Sequence, residues 1–168
     1  ARWLAFLEQV FGPDPQSIEL LQDWFGYCLT GDTSQQKMLL MIGAKRSGKG
    51  TIARVLRQLI GEGNTCGPTT NSLSGPFGLQ SLIGKSVAIV ADARFRGDHV
   101  AQVVEHLLCI SGEDALTIER KFLGAVTMRL PTRFVFMTNE VPKLSDASSA
   151  IASRFLVLRF EQSFLNRE

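Results

Sequence analysis

Lys49 is the residue whose surroundings speak most directly of chemistry. It lies in the run Gly43-Ala44-Lys45-Arg46-Ser47-Gly48-Lys49-Gly50-Thr51, where two glycines bracket a basic loop and a lysine follows the second. Glycines there let the backbone turn tightly and bring its N–H groups onto phosphate oxygens with no Cβ in the way. A helix opening at the lysine points its positive end at the same anion, and the ammonium reaches the outer phosphates as a point charge. The pattern is that of a phosphate-binding P-loop, and the expected ligand is a nucleoside triphosphate. It departs from the usual form at Gly50, which stands where Ser or Thr ordinarily binds Mg²⁺; the hydroxyl of Thr51 comes one residue later. The metal is then held through water or from elsewhere, with Thr51 on an inner phosphate. An ordinary Gly/Ser/Lys turn between strand and helix is the competing reading.

Three further residues sit where such a site would need them. Asp92 follows the apolar run Val87-Ala88-Ile89-Val90-Ala91; a carboxylate at the C-terminal end of a buried strand can hold Mg²⁺ or its waters. The plainer alternative is a loop cap, and the neighbour Ala93 leaves the general base unassigned. Asn139 also ends an apolar strand, where an amide can orient a water or touch the γ-phosphate; before Val141-Pro142 it equally suits a turn. Arg154, just ahead of the last apolar strand, could serve a neighbouring subunit's nucleotide as an arginine finger, or form a surface ion pair. Away from these, Arg120, Lys121 and Phe122 combine phosphate-seeking cations with a stacking ring, which suits single-stranded nucleic acid; a solvated basic turn is the alternative.

The elements that must position these groups are legible in the periodicity. Met38 to Ile42 is an unbroken apolar strand, and Ile52, Val55, Leu56, Leu59 and Ile60 then recur at i, i+3, i+4, i+7, i+8, one helical face. Ahead of them, Leu4, Leu7 and Phe11 mark a first helix; Asp14-Pro15 caps and opens a second carrying Ile18, Leu21, Trp24, Phe25 and Tyr27. Thr30-Gly31-Asp32 ends it. Gly61 to Pro68 reads as a turn-rich connection, Pro76 to Ile83 as a short helix stopped by Gly84. Asp98 is expected to cap a helix bearing Val100, Val103, Val104, Leu107 and Leu108. The period then changes to two: Leu116, Ile118, Val126, Met128 and Leu130 alternate with polar residues around a basic, aromatic tip, a β-hairpin. Phe134 to Met137, a short helix over 147–153, and Phe155 to Phe160 complete an α/β three-layer sandwich.

Composition bounds the rest. The chain has 168 residues, 45% of them hydrophobic, and a net charge of +2, which permits nucleic acid as a partner without requiring it. No apolar run approaches the roughly 20 residues of a membrane span. Cys28, Cys66 and Cys109 are odd in number and far apart, with neither disulfide nor metal-ligand spacing, so a reducing, cytoplasmic setting is expected. His99 and His106 lack supporting ligands and read as helix-surface or core residues. Beginning Ala1-Arg2-Trp3, the chain is expected to be a domain excised from a longer protein.

Taken together, these segments resemble the superfamily 3 helicase domain of phage, plasmid and poxvirus-type primase–helicases. Gly43 to Thr51 is similar to the family's Walker A motif, and Val87 to Asp92 to its Walker B strand. Ile110-Ser111-Gly112-Glu113-Asp114, with Arg120-Lys121, resembles its extra motif and DNA-contacting hairpin. Phe136 to Pro142 resembles the strand whose Asn is sensor 1, and Asp146, Ala150 and Arg154-Phe155 its arginine-finger segment. Trp3 to Leu7 and Gly26 to Leu29 look like the helical segment preceding the ATPase. The resemblance implies a P-loop NTPase core of AAA+-like type at 34–168, with a mostly parallel sheet and a hairpin insertion, behind a helical segment at 1–33. It further implies an ATP- and Mg²⁺-dependent motor that assembles as a ring, typically a hexamer. Lys49, Asp92 and Asn139 would act from one subunit and Arg154 from the next, while the hairpins draw single-stranded DNA through the pore, generally 3′→5′. A primase domain on the same chain and a bacterial host cytoplasm belong to the same expectation. The rivals are an adenylate-kinase-like enzyme, for which no monophosphate-binding helix pair or arginine-rich lid is visible, and a nucleotide-binding ring that scaffolds without unwinding.

Overall fold

The apolar run ahead of the P-loop becomes a strand hydrogen-bonded on both sides. In this computed structural model, which describes residues 2–144 and 148–165, β1 (Met38–Gly43) lies between β6 (Arg133–Thr138) and β7 (Phe155–Phe160). Beyond β6 come β3 (Val87–Val90) and β2 (Thr65–Cys66), giving the order β2-β3-β6-β1-β7 with every pairing parallel. Strands of a parallel sheet need both faces covered, and these have them. On one face Leu39 and Met41 of β1, Ile89 of β3 and Val135 of β6 pack with α1 (Arg2–Phe11), α2 (Pro15–Leu29) and α3 (Lys49–Ile60). On the other, Leu40, Val90, Phe134 and Phe136 pack against α4 (Val100–Ser111) and Ile151 of α5 (Ser148–Ala152). The alternation is the period-2 pleat, and each fully buried Leu or Phe contributes roughly 1.5–3 kcal/mol. The result is a three-layer α/β sandwich, as expected.

Outside the sheet, β4 (Leu116–Arg120) and β5 (Leu123–Met128) form an antiparallel hairpin with an irregularity between Ile118 and Arg120. Ile118 at its base is buried in the α4-side core, while Leu123 and Phe122 at the tip are exposed. Asp14 caps α2 as expected: its carboxylate accepts from the Ser17 hydroxyl at 2.6 Å and the Ser17 N–H at 3.1 Å, and these bonds hold its pKa below the ordinary value.

Several expectations need correction. The inward stripe of α1 is Leu7, Val10 and Phe11, with Trp3 and Phe6 packed beside them, so Leu4 faces solvent. Leu59 is likewise exposed, while Ile60 beside it packs against the core. Asp98 does not cap α4, whose N-cap position is His99, without a side-chain cap bond. The stretch expected as a helix over 76–83 is a 3₁₀ segment at Gly78–Leu82. Thr65–Cys66, expected in a connection, pairs in parallel with β3 as the sheet's edge. Leu130 lies beyond β5 yet is buried. Position 147, expected to open α5, and Asp146 lie outside the described residues.

Candidate functional site

The strand order reverses at β1, and ligands of open parallel sheets bind beyond the carboxyl ends of strands at such a point. The P-loop leaves β1 there. Gly43, in register with Phe160 of β7, has no room for a side chain: a Cβ would lie 2.5 Å from the Phe160 carbonyl oxygen. Arg46 adopts φ +56 and Gly48 φ +100, so the loop curls back before α3 begins at Lys49. No side chain caps α3, and its first N–H groups are without intrahelical partners. Ser47 is buried within the loop. Lys49 is a buried residue, and its ammonium donates to the carbonyls of Gly43 and Ala44 (2.8 Å for the latter) and to Ser47 Oγ at 3.1 Å. Burial lowers its pKa from the ordinary 10.5. A cation held on neutral acceptors beside open N–H groups is a site arranged for an anion.

Above the loop is a cleft of about 510 Å³. Its walls are Lys45 to Thr51, Arg54 of α3, Ala91 after β3, Met137 and Asn139 from the end of β6, Phe6 of α1 and Phe164 after β7. Lys49 and Asn139, far apart in sequence, therefore share one cleft because β6 is the neighbour of β1. Asp92 stands one strand further out. It lines an adjoining cleft of about 660 Å³ with Arg57, Arg94, Arg96 and His99, and Ala91 is common to both clefts. Its carboxylate pairs with Arg94 at 2.9 Å, two largely exposed side chains, a contact worth little by itself. Arg96 pairs with Glu140 across the same surface. Thr51 Oγ1 accepts from Arg54 at 3.1 Å. Among the described residues no three His, Cys, Asp or Glu gather as a metal cluster. Mg²⁺ demands less than that, since it keeps several waters and takes one or two protein oxygens plus phosphates. Thr51 Oγ1 and the Asp92 carboxylate are hard oxygen donors of the kind Mg²⁺ takes, and they line adjoining clefts rather than one.

Arg154 and the hairpin lie elsewhere. Arg154 precedes β7, and its carbonyl accepts from Met38 N–H at 2.7 Å, at the amino ends of β7 and β1. Six residues of strand separate this edge from Phe160 beside the P-loop, roughly 20 Å at the usual rise. Its guanidinium donates to Gln36 Oε1 and to the Ser111 carbonyl at 3.4 Å. The fold does not bring Arg154 to its own P-loop. At the hairpin tip Phe122 is 94% exposed with φ +63, and the Lys121 ammonium stands 5.8 Å from its ring centroid. Arg120 Nε donates to the Gly124 carbonyl at 2.8 Å, and Gln80 Oε1 accepts from Lys121 N–H at 2.8 Å, which brace the tip.

Sequence reasoning passed over Arg133, Phe6 and Phe164. Arg133 opens the apolar strand β6 and is buried; it donates to the Thr30 carbonyl at 2.6 Å and lies 4.9 Å over the Tyr27 ring, tying α2 to the sheet. A lone charge heading an apolar run was the available signal. Phe6 and Phe164 reach the cleft from opposite ends of the chain, which no local pattern announces. The cysteines are free, and burial pushes the Cys28 thiol up to about 12. His106 Nδ1 lies 2.7 Å from the Leu73 carbonyl, a structural contact.

Residues 41–154 match the model of a family described as of unknown function, DUF5906. Among solved structures, the apo NrS-1 C-terminal region (305–718) is similar over 98% of this chain and 39% of its own, with TM-score 0.78 and 20% identity. The A form of the apo NrS-1 C-terminal region is similar over 98% and 38%, at TM-score 0.74 and 20% identity. JCV helicase with a bound thiazolopyridine acetamide is similar over 89% of this chain and 42% of its own, at TM-score 0.64 and 20% identity. Likeness at this identity establishes a common α/β fold. The chain spans about two-fifths of the length of these structures.

Proposed function

The chain belongs to the DUF5906 family, and from that premise and its cleft we propose that it is the ATP-hydrolysing motor domain of a superfamily 3-type helicase acting on single-stranded DNA. The observation that carries this reading is the meeting of Lys49 and Asn139 in one cleft at the point where the strand order reverses. In it, the loop N–H groups and the Lys49 ammonium bind the phosphates, Lys49 exchanging its carbonyl partners for anionic oxygens. Asn139 holds the attacking water by its amide. The water oxygen bonds to the γ-phosphorus and gives up its proton to solvent, the bond from that phosphorus to the bridging oxygen breaks, and ADP and inorganic phosphate leave. Mg²⁺ bound with the nucleotide would neutralise charge on the phosphate oxygens; Thr51 and Asp92 are the residues that would hold it.

Arg154, remote from its own loop, acts in trans on a neighbouring subunit of a ring, typically a hexamer. Arg120, Lys121 and Phe122 carry the DNA contact. Replication of a mobile element, with a primase domain on the same chain, completes the reading. Steady-state ATP hydrolysis with and without single-stranded DNA tests it: turnover stimulated by DNA and abolished in Lys49→Ala is expected. A second reading, a nucleotide-binding ring that scaffolds without unwinding, draws support from Gly50, from Ala93 beside Asp92, and from the Arg94 pair on that carboxylate. Tight ATP binding by an assembled ring with no turnover under any condition would select it.

A further inference from the structure

The P-loop accounts for the phosphate end of a nucleotide and leaves the base unexplained. Charge and N–H groups do not recognise a flat, weakly polar ring; an aromatic face does. Two phenyl rings stand in the wall of this cleft beside the polar groups of the loop, and phenylalanine has nothing to offer a phosphate. Phe6 comes from α1, stacked on Trp3 with ring centroids 5.6 Å apart. Its ring edge comes so close to the loop that a Cβ on Gly48 would lie 3.3 Å from Phe6 Cζ. Phe164 comes from the segment after β7, which is bound back across the loop: Ser163 Oγ donates to the Lys45 carbonyl at 3.2 Å, and Phe164 N–H to the Arg46 carbonyl at 2.9 Å. Both rings are only half-buried. Phe6 thus abuts the loop at Gly48, and the backbone of Phe164 is tied to it at Arg46.

We propose that Phe6 and Phe164 form the nucleobase site of this cleft, stacking on the aromatic face of a base whose phosphates lie on the Gly43–Thr51 loop. The proposal rests on the nucleotide reading above and adds to it the two chain ends that hold the base. It also gives the segment at 162–165 a purpose beyond closing β7: the strap carries one ring to the cleft and is anchored on loop carbonyls, so base binding and loop shape are linked.

The test is equilibrium binding of ATP and of inorganic tripolyphosphate to wild type, Phe164→Ala, Phe164→Tyr and Phe6→Ala, each variant checked by thermal melting. Loss of one stacking ring should weaken ATP roughly tenfold to a hundredfold and leave tripolyphosphate within about twofold, since its contacts are those of the loop. Phe164→Tyr, which keeps the ring, should bind ATP like wild type. Phe6 packs on Trp3, so Phe6→Ala counts only if it melts like wild type; the Phe164 pair carries the test without it. Equal weakening of both ligands by Phe164→Ala, or no weakening of ATP, overturns the base site while the phosphate loop stands. Wild-type protein that binds neither ligand overturns the nucleotide reading itself.

Discussion

Two alanine substitutions seven residues apart should move stability in opposite directions. At Gly43 a Cβ would stand 2.5 Å from the Phe160 carbonyl oxygen and 2.6 Å from Phe160 Cβ. The first obstacle is backbone, in the neighbouring strand, and β1 and β7 are in register at this pair; β7 must move by about 1 Å to reach ordinary contact distance. Overpacking a tight site costs about 1–3 kcal/mol, and a backbone obstacle belongs at the upper end, about 3 kcal/mol. At Gly50, the second residue of α3, a Cβ would meet only Arg54 Nη1 at 3.6 Å, an ordinary contact with a flexible side chain. Alanine there gains helix propensity, up to about 1 kcal/mol in a helix interior and about half that near an end. The expected separation between the variants is therefore about 3.5 kcal/mol, read by urea denaturation at neutral pH. Gly43→Ala within about 1 kcal/mol of wild type, or Gly50→Ala clearly less stable than wild type, would refute the steric account of the loop.

Tyr27, the single tyrosine, has its pKa raised above 10.0 by burial, with Arg133 opposing the shift. Stability should fall as pH climbs from 10.0 toward the folded-state value, because the unfolded phenol ionises first; absorbance titration against Tyr27→Phe reads this, and a midpoint at or below 10.0 contradicts it. Arg133→Met should cost about 3 kcal/mol in denaturation, since the Thr30 and Asp32 carbonyls lose a charged donor; a loss under about 1 kcal/mol would mean that the tie is unimportant. Phe122→Ala should leave the melting temperature unchanged, the ring being 94% exposed, yet weaken single-stranded DNA about tenfold in fluorescence anisotropy. Unchanged affinity would move the DNA contact off the hairpin tip. Arg154→Ala and Lys49→Ala, each inactive alone, should regain ATP turnover on mixing if Arg154 serves a neighbouring subunit's loop as proposed; no regain would end the trans role.

How much was legible follows from how local each signal is. The strand–loop–helix turn at Gly43 to Thr51, the strands at Met38 to Ile42, Val87 to Val90 and Phe134 to Met137, and the Asp14 cap depend on neighbours within a few residues, so spacing alone reveals them; Ala91, expected to close the second of these strands, is exposed beyond it. The rotation of α1 that exposes Leu4 and turns Trp3 and Phe6 inward depends on what α1 packs against. So does β2, where two residues form a strand only because β3 offers an edge. Arg133 belongs with these: its carbonyl partners lie about a hundred residues away in sequence, and nothing beside it in the chain predicts them.

By itself, the sequence determined that a glycine-rich basic loop joins a buried strand to a helix, and that acidic, amide and arginine candidates end or begin other strands. Glycine spacing and apolar periodicity are properties of contiguous chain, and they carry that much. Only the tertiary structure decided which candidates meet. Parallel pairing of β1 with β6 brings Asn139 to the loop of Lys49, the position of β3 sets Asp92 one strand away, and the polarity of β7 leaves Arg154 at the far edge of the sheet. It also drew Phe6 and Phe164 together from opposite ends of the chain. Strand order and direction are set by packing across the whole domain, and no window of sequence contains them.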